Sequence, residues 1–154
     1  MTAALAIVGS LVVVVGIVGV LLRSAKSDLA ASAPTIAKQN EAFQVVGKEL
    51  GLVFVPSETY GELRGRIGSV GVTVRFGFES LVYAMQIRVV GPKHLADNLT
   101  AKLPDSKVRV IGDELVVEPR IVKEKHGKLW HYVIVDPAVL RRWIEDAVSV
   151  VAKS

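Results

Sequence analysis

The chain has 154 residues, a formal net charge of +4 and a hydrophobic content of 51%. It contains no cysteine, which excludes disulfides, thiol catalysis and cysteine-ligated zinc. Its mild positive charge is not the dense basic stripe typical of nucleic-acid-binding domains, so we do not expect nucleic acid as a partner.

The first element is an uncharged apolar run from Ala3 to Leu22, in which Ser10 is the only polar side chain. At ~1.5 Å per residue, about twenty helical residues cross the ~30 Å hydrocarbon core of a bilayer. The run is apolar on every side of a helix, unlike an amphipathic surface helix. We therefore predict a single-pass transmembrane helix.

A buried helix of a soluble core and a cleaved signal peptide are the other interpretations of this run. A signal peptide begins with basic residues, which Met1–Ala3 lacks, and has a shorter apolar region. The stretch Ala31–Ala33 resembles a cleavage site, but Pro34 follows it and it lies well past the apolar run. The membrane anchor is therefore the favoured interpretation.

Basic residues flank the apolar run on one side only. Arg23 and Lys26 follow it, and no basic side chain precedes it. Because cytoplasmic flanks carry the excess of Lys and Arg, this asymmetry predicts a cytoplasmic C-terminal domain. We expect residues 1–26 to form the anchor and its basic flank, 27–33 a juxtamembrane connector, and 34–154 a soluble α+β domain. The connector also fits a continuation of the helix out of the bilayer.

The soluble part begins with a predicted helix from Pro34 to Leu50. Ser32 or Thr35 is placed to cap its start, and Gly51 is placed to end it. A short strand, Leu52–Pro56, follows. The apolar side of the helix is formed by Ile36, Phe43, Val46 and Leu50.

The stretch ELRGRIGSVGVTVRF, from Glu62 to Phe76, combines glycines with arginines. Its G-x-x-G-x-x-G spacing matches neither the Walker loop nor the dinucleotide fingerprint. A type II′ turn at Gly68-Ser69 instead predicts a hairpin with an apolar and a polar side. The predicted opposing pairs are Ile67 with Val70, Arg66 with Gly71, Gly65 with Val72, Arg64 with Thr73, Leu63 with Val74, and Glu62 with Arg75.

The polar side of this hairpin carries Arg64, Arg66 and Arg75. We predict these residues as contacts to a partner or to the anionic membrane surface. Acidic residues are interleaved with them, and aromatic residues do not alternate with them as in single-strand binders. A polar sheet side facing only water is the simpler interpretation.

Further strands and a helix complete the predicted sheet. Leu81–Val90 alternates as a strand, and Pro92–Leu103 has leucines spaced by four as in a helix. A hairpin turn at Gly112-Asp113 would set Val108 and Val110 against Val117 and Leu115. A third turn is predicted at His126-Gly127.

The final predicted element is an amphipathic helix capped by Asp136, with Pro137 at its first position. Its apolar stripe is formed by Val139, Leu140, Trp143, Ile144, Ala147, Val148 and Val151. The whole pattern predicts an α+β fold: an N-terminal transmembrane helix, then a small antiparallel sheet of three hairpins with helices packed on one face.

The sequence shows no catalytic, cofactor-binding or metal-binding motif. His94, His126 and His131 lack the spacing of zinc ligands. A serine with His131 and Asp136 would make a hydrolytic triad, but Asp136 already has a capping role. We therefore predict a protein that is not an enzyme and uses no cofactor or metal.

We predict a single-pass, membrane-anchored interaction or scaffold domain at the cytoplasmic membrane. Two alternatives remain: a tethered domain that binds a lipid or another apolar ligand, and an extracytoplasmic envelope domain if the orientation is inverted. Expected partners are the bilayer and a protein, or a second copy of the chain meeting it through the glycine-lined anchor or a strand edge. This organisation resembles small membrane-anchored bacterial proteins, without a match to a named family.

Overall fold

The computed structural model of the protein describes the backbone of residues 2–154 and the side chains of residues 26–154. Helices and strands follow one another as in an α+β fold, which confirms the predicted class. In chain order the elements are α1 (Thr2–Leu50), β1 (Val53–Val55), β2 (Glu62–Ile67), β3 (Val70–Glu79), β4 (Val82–Val90), a 3₁₀ turn (Lys93–Leu95), α2 (Ala96–Lys102), β5 (Ser106–Ile111), β6 (Glu114–Pro119), β7 (Lys123–His126), β8 (Leu129–Tyr132) and α3 (Pro137–Ala152).

The strands form one eight-stranded sheet in the order β1-β2-β3-β4-β6-β5, with β8 and β7 beside the start of β4. All described pairs are antiparallel except β4 with β8, which is parallel. The first part of β4, Val82–Ala84, pairs with β8, and its last part, Ile87–Val90, pairs with β6. The sequence did not predict this division of β4.

Directly opposed residues of neighbouring strands lie on the same side of a sheet. In this sheet the two sides differ in polarity. One row across the sheet is apolar and contributes to the core: Leu63, Val74, Ile87, Val117 and Val108. The next row points away from the helices and is mainly polar: Arg64, Thr73, Arg88, Val116 and Arg109. We call this second side the helix-free face.

The helices close the apolar side of the sheet. Phe43 and Val46 of α1 and Leu140 and Ile144 of α3 are fully buried in the core. The predicted apolar stripe of α3 is buried except for Val139, which is 38% exposed. Val139 lies in the first turn, at the edge of the helix contact, which explains its exposure.

Predicted helix ends are confirmed at both α1 and α3. Gly51 has φ +68°, and the N–H of Leu52 donates to the carbonyl of Gly47 at 2.8 Å, as in a Schellman cap. The Asp136 carboxylate accepts from the N–H groups of Ala138 at 2.8 Å and Val139 at 3.2 Å.

Helix α1 is longer than predicted, since it includes residues 27–33 and encloses Pro34. Ser32 and Thr35 therefore lie inside a helix and do not cap one, and this prediction is wrong. Both hydroxyls instead contact the β7–β8 hairpin, so tertiary bonds occupy them. The alternative interpretation, a helix continuing past the connector, matches the structure.

The register predicted for the first hairpin is confirmed from Ile67 opposite Val70 to Leu63 opposite Val74. Gly68 has φ +60° while Ser69 does not have a positive φ, as a type II′ turn requires. The paired register ends at Leu63 and Val74, and the Glu62 carboxylate pairs with Arg64 on its own strand, so the predicted charge pair of Glu62 with Arg75 is not formed.

The two later hairpins also form. Val108 faces Val117 and Val110 faces Leu115, as predicted. In the third hairpin His126 is the last paired residue of β7, opposite Leu129, so the turn is Gly127-Lys128, one residue later than predicted. The positive φ of +59° at Gly127 fixes that position.

Across the part of the chain searched, no helix is apolar over enough residues to cross a bilayer. The predicted anchor, Ala3–Leu22, and its flanking Arg23 fall where side chains are not described, so both stay predictions. Lys26, the other flanking residue, is exposed.

Candidate functional site

The three arginines predicted as contacts all belong to strands of the helix-free face. Arg64 and Arg66 lie on β2. Arg75 lies on β3, opposite Gln86 of β4. Their surroundings differ. Arg64 is paired with Glu62, and Arg66 donates to the carbonyl of Ser69 at 2.6 Å.

The helix-free face keeps free cations after its internal ion pairs are formed. Arg88 donates to Glu114 at 2.8 Å, and Glu118 pairs with Arg109. Among the side chains of residues 26–154, Arg75 and Lys107 have no acidic partner. The face therefore presents cations that form no ion pair within the described part.

A buried carboxylate organises one end of this face. Glu118 is only 3% exposed and accepts from Gln86 at 3.0 Å, from Arg120 at 2.8 Å and from Arg109. The Arg120 guanidinium also lies 4.4 Å from the centre of the Tyr132 ring, a cation–π contact. Glu118 thus fixes two guanidinium groups side by side.

The sequence alone carries only part of the signal for this cluster. The confirmed register of the second hairpin already places Lys107, Arg109 and Glu118 on the side opposite Val108 and Val117. Arg120 follows the last strand residue and carries no alternation signal. Period-two alternation could have found most of these residues, but the neighbour relation between β4 and β6 is not written in any local pattern.

A second cluster of polar side chains lies on the other side of the molecule, between α1 and the β7–β8 hairpin. His131 is fully buried at its centre. Its Nδ1 is 2.7 Å from the Tyr60 hydroxyl and its Nε2 is 3.0 Å from the Ser32 hydroxyl. The His131 ring also stacks on Tyr83 at 5.2 Å between ring centres.

The hydrogen bonds of Ser32 determine the tautomer of His131. Ser32 Oγ donates its one proton to the carbonyl of Asp28 at 2.8 Å. It must then accept from His131, so Nε2 carries the proton and Nδ1 accepts from Tyr60. In this hydrogen-bonded series of Tyr60, His131 and Ser32, every side-chain polar atom has a partner, and the imidazole is neutral.

Burial shifts the protonation of both rings in the chain. Desolvation, with a contribution from the charge of His126, lowers the pKa of His131 from 6.5 to about 4. Desolvation and the nearby charge of Glu124 raise the pKa of Tyr60 above its ordinary value. Each shift favours the neutral form, in agreement with the hydrogen-bond pattern.

Ser32 lies within hydrogen-bond distance of His131, as the serine of a triad would, but their hydrogen bonds and burial are not those of a triad. Both are fully buried, the serine donates to a carbonyl and not to the histidine, and a tyrosine occupies the second ring nitrogen. Asp136 caps α3 and makes no bond to His131. This geometry holds the helix against the hairpin and offers no exposed nucleophile.

A partly exposed extension of the cluster lies beside His131. Thr35 donates to the Glu124 carboxylate at 2.6 Å, and His126 Nε2 is 3.0 Å from the same hydroxyl. The Thr35 hydrogen bond lowers the pKa of Glu124. In the searched part of the chain no three His, Asp or Glu side chains converge as metal ligands would. His94 lies apart, exposed, in the 3₁₀ turn.

Comparisons with known proteins add no assignment to this geometry. The chain matches no protein-family model, no curated protein and no solved structure.

Proposed function

We propose that the protein is a membrane-anchored, non-enzymatic binding domain whose helix-free face holds a negatively charged protein partner at the cytoplasmic membrane. The observation that carries this proposal is the charge left over on that face. Arg75 and Lys107 have no acidic partner within residues 26–154, and Arg66 contacts only a backbone carbonyl there. Complementary charge on a partner would meet these groups.

The length of helix α1 favours a protein partner, rather than the bilayer, as the target of Arg64 and Arg66. Asp28, near the predicted anchor, lies by the β7–β8 turn, where its carboxylate is 3.4 Å from the N–H of Lys128. Gly47 lies about nineteen residues further on, or ~29 Å along the helix. Gly65, between the two arginines, lies against Leu52 at that far end.

The consequence for the membrane-surface interpretation is quantitative. For a helix that leaves the bilayer steeply, Arg64 and Arg66 stand ~30 Å from the anchored end of α1. The Debye length at physiological salt is ~8 Å, so their attraction to anionic lipids would be screened. A protein partner that reaches the far end of the domain fits better.

The cavities of the domain give no particular support to an apolar ligand. Three surface cavities have volumes of about 290, 550 and 270 Å³, and charged side chains line each of them. An apolar molecule there would cover charged groups without pairing them. The enzymatic alternative gains nothing from the Ser32–His131 pair, because both residues are fully buried.

The proposal is tested by site-specific cross-linking in membranes that contain the full chain. A photoreactive residue replacing Thr73, at the centre of the helix-free face, should capture a specific protein. The same residue replacing Arg142, exposed on α3, is the matched control. Capture from Thr73 should disappear in Arg66→Glu/Arg75→Glu and weaken with salt. Equal capture from both positions, or no effect of the charge reversal, would refute the proposal.

Sidedness requires a separate measurement. A reporter active only in the cytoplasm, fused after Ser154, should be active if Arg23 and Lys26 set the orientation. Substituting both with Gln should reduce that activity. Activity of an extracytoplasmic reporter at the same position would replace the cytoplasmic proposal with the inverted one.

A further inference from the structure

We propose that the cavity over Glu118, on the helix-free face, is a binding site for a small oxyanion, a carboxylate or a phosphate group. This goes beyond the proposed function, since a free anion could occupy the cavity whether or not a protein covers the rest of the face. The cavity has a volume of about 290 Å³. That is well above the roughly 10–15 Å³ that a single water needs on the same measure, so a small polyatomic anion has room.

The charges that line the cavity favour an anion. Three basic side chains, Lys107, Arg109 and Arg120, face two carboxylates, Glu79 and Glu118. Glu118 is already saturated, because Gln86 and both arginines donate to it. The site therefore keeps a net positive charge around a space open to solvent.

The hydrogen-bonding capacity of the two arginines is not used up by Glu118. A guanidinium has five N–H donors. In the described bonds Arg109 and Arg120 each reach Glu118 through a single nitrogen. Both side chains line the cavity, so their remaining guanidinium N–H groups are available to an oxyanion there.

The arginines are also held in place before any ligand arrives. Glu118 bridges them, Tyr132 lies under the Arg120 guanidinium at 4.4 Å, and Gln86 fixes Glu118 from β4. Gly77 makes room for the Gln86 amide, since a Cβ at residue 77 would come within 2.4 Å of Gln86 Nε2. Preorganised donors of this kind reduce the entropic cost of binding.

The test measures binding of citrate, inorganic phosphate and a hexaglutamate peptide to the full chain in neutral detergent micelles. Binding stabilises the folded state and should raise the melting temperature in a saturable way. Sodium chloride at matched ionic strength corrects for screening. Stronger effects of citrate or phosphate indicate a free small anion as the source, and stronger effects of the peptide indicate a partner's carboxylates. Either result supports the site.

Two variants separate the cavity from the general charge of the face. Lys107→Gln/Arg120→Gln should weaken the apparent affinity at least about tenfold, the equivalent of losing ~1.4 kcal/mol. Lys125→Gln removes one exposed charge from the same side of the sheet, outside the cavity, and should leave the affinity unchanged. Lys107 is exposed and unpaired within the described part, so Lys107→Gln alone keeps the test valid if the double variant does not fold.

The proposal is overturned if none of the three probes gives a saturable shift, or if Lys125→Gln weakens binding as much as Lys107→Gln. The cross-linking experiment at Thr73 is independent of this result. If the anion does not bind but cross-linking at Thr73 is retained, the proposed function stands without the site. If the anion binds but cross-linking fails, the site stands without the proposed function.

Discussion

Acid should destabilise the protein through His131. The pKa of this fully buried imidazole is about 4 in the folded state, against an ordinary value of 6.5. The unfolded chain therefore binds a proton between these values while the folded chain does not. The stability that the neutral histidine contributes is complete above the unfolded pKa and is lost as the pH falls towards the folded pKa.

The size of the effect follows from the same two values. Linkage gives a loss of about 2 kcal/mol between about pH 7.5 and about pH 5, rising to about 3 kcal/mol below the folded pKa. This is a large part of the ~5–15 kcal/mol stability of an ordinary domain. Glu124, whose pKa is also lowered, adds to the loss in the same direction at lower pH.

The assay is urea unfolding of the full chain in detergent, followed by the fluorescence of Trp130 and Trp143, the only tryptophans in the sequence. His131→Gln should remove most of the loss between about pH 7.5 and about pH 5. His94→Gln, an exposed histidine outside the cluster, is the control and should keep it. NMR titration of the His131 ring gives the pKa directly.

One pair of outcomes would contradict the reasoning about His131. If His131→Gln loses as much stability in acid as the wild type, the dependence arises elsewhere. If the imidazole of His131 titrates near its ordinary pKa in the folded protein, the buried neutral chain from Tyr60 to Ser32 is not the state in solution. Tyr60→Phe, which removes only the donor to Nδ1, provides a milder variant if His131→Gln does not fold.

Three stability changes, each measured by the same urea unfolding, follow from other parts of the fold. Asp136→Ala removes the cap of α3 and should cost about 1 kcal/mol. Leu81→Gly should stabilise by about 1 kcal/mol, because Leu81 has φ +64° in the turn between β3 and β4 and is 51% exposed. Glu118→Gln should cost about 2 kcal/mol, since it leaves two guanidinium groups without their carboxylate. An unchanged free energy of unfolding in any one variant would contradict the structural role assigned to that residue.

The first two hairpins were predictable because each encodes its register locally. In the first, glycine at the turn and alternation on both strands leave one arrangement that sorts apolar from polar residues, and that arrangement is the one observed. The failure at Glu62 is equally local. A carboxylate two residues from Arg64 on the same side reaches it more easily than it reaches Arg75 across the strands.

The buried histidine chain was not predictable because its partners are far apart in sequence. Tyr60 is 71 residues from His131, and Ser32 is 99 residues from it. No periodicity links such positions, and the parallel pairing of β8 with β4, which sets His131 opposite Tyr83, has no local signature. Ser32 is no helix cap because α1 continues through it, and its hydroxyl bonds to the Asp28 carbonyl and to His131.

The continuity of α1 bears on how the proposed function would work. Ser32 bonds the helix to β8 and Thr35 bonds it to β7, both within three turns of Lys26, and residues 27–33 belong to the same helix. If Ala3–Leu22 crosses the membrane as predicted, the same helix carries the domain. The direction of the helix-free face relative to the bilayer is then set by the helix itself. A domain held in one orientation by its helix would lose less rotational entropy on binding a partner that lies on the same membrane.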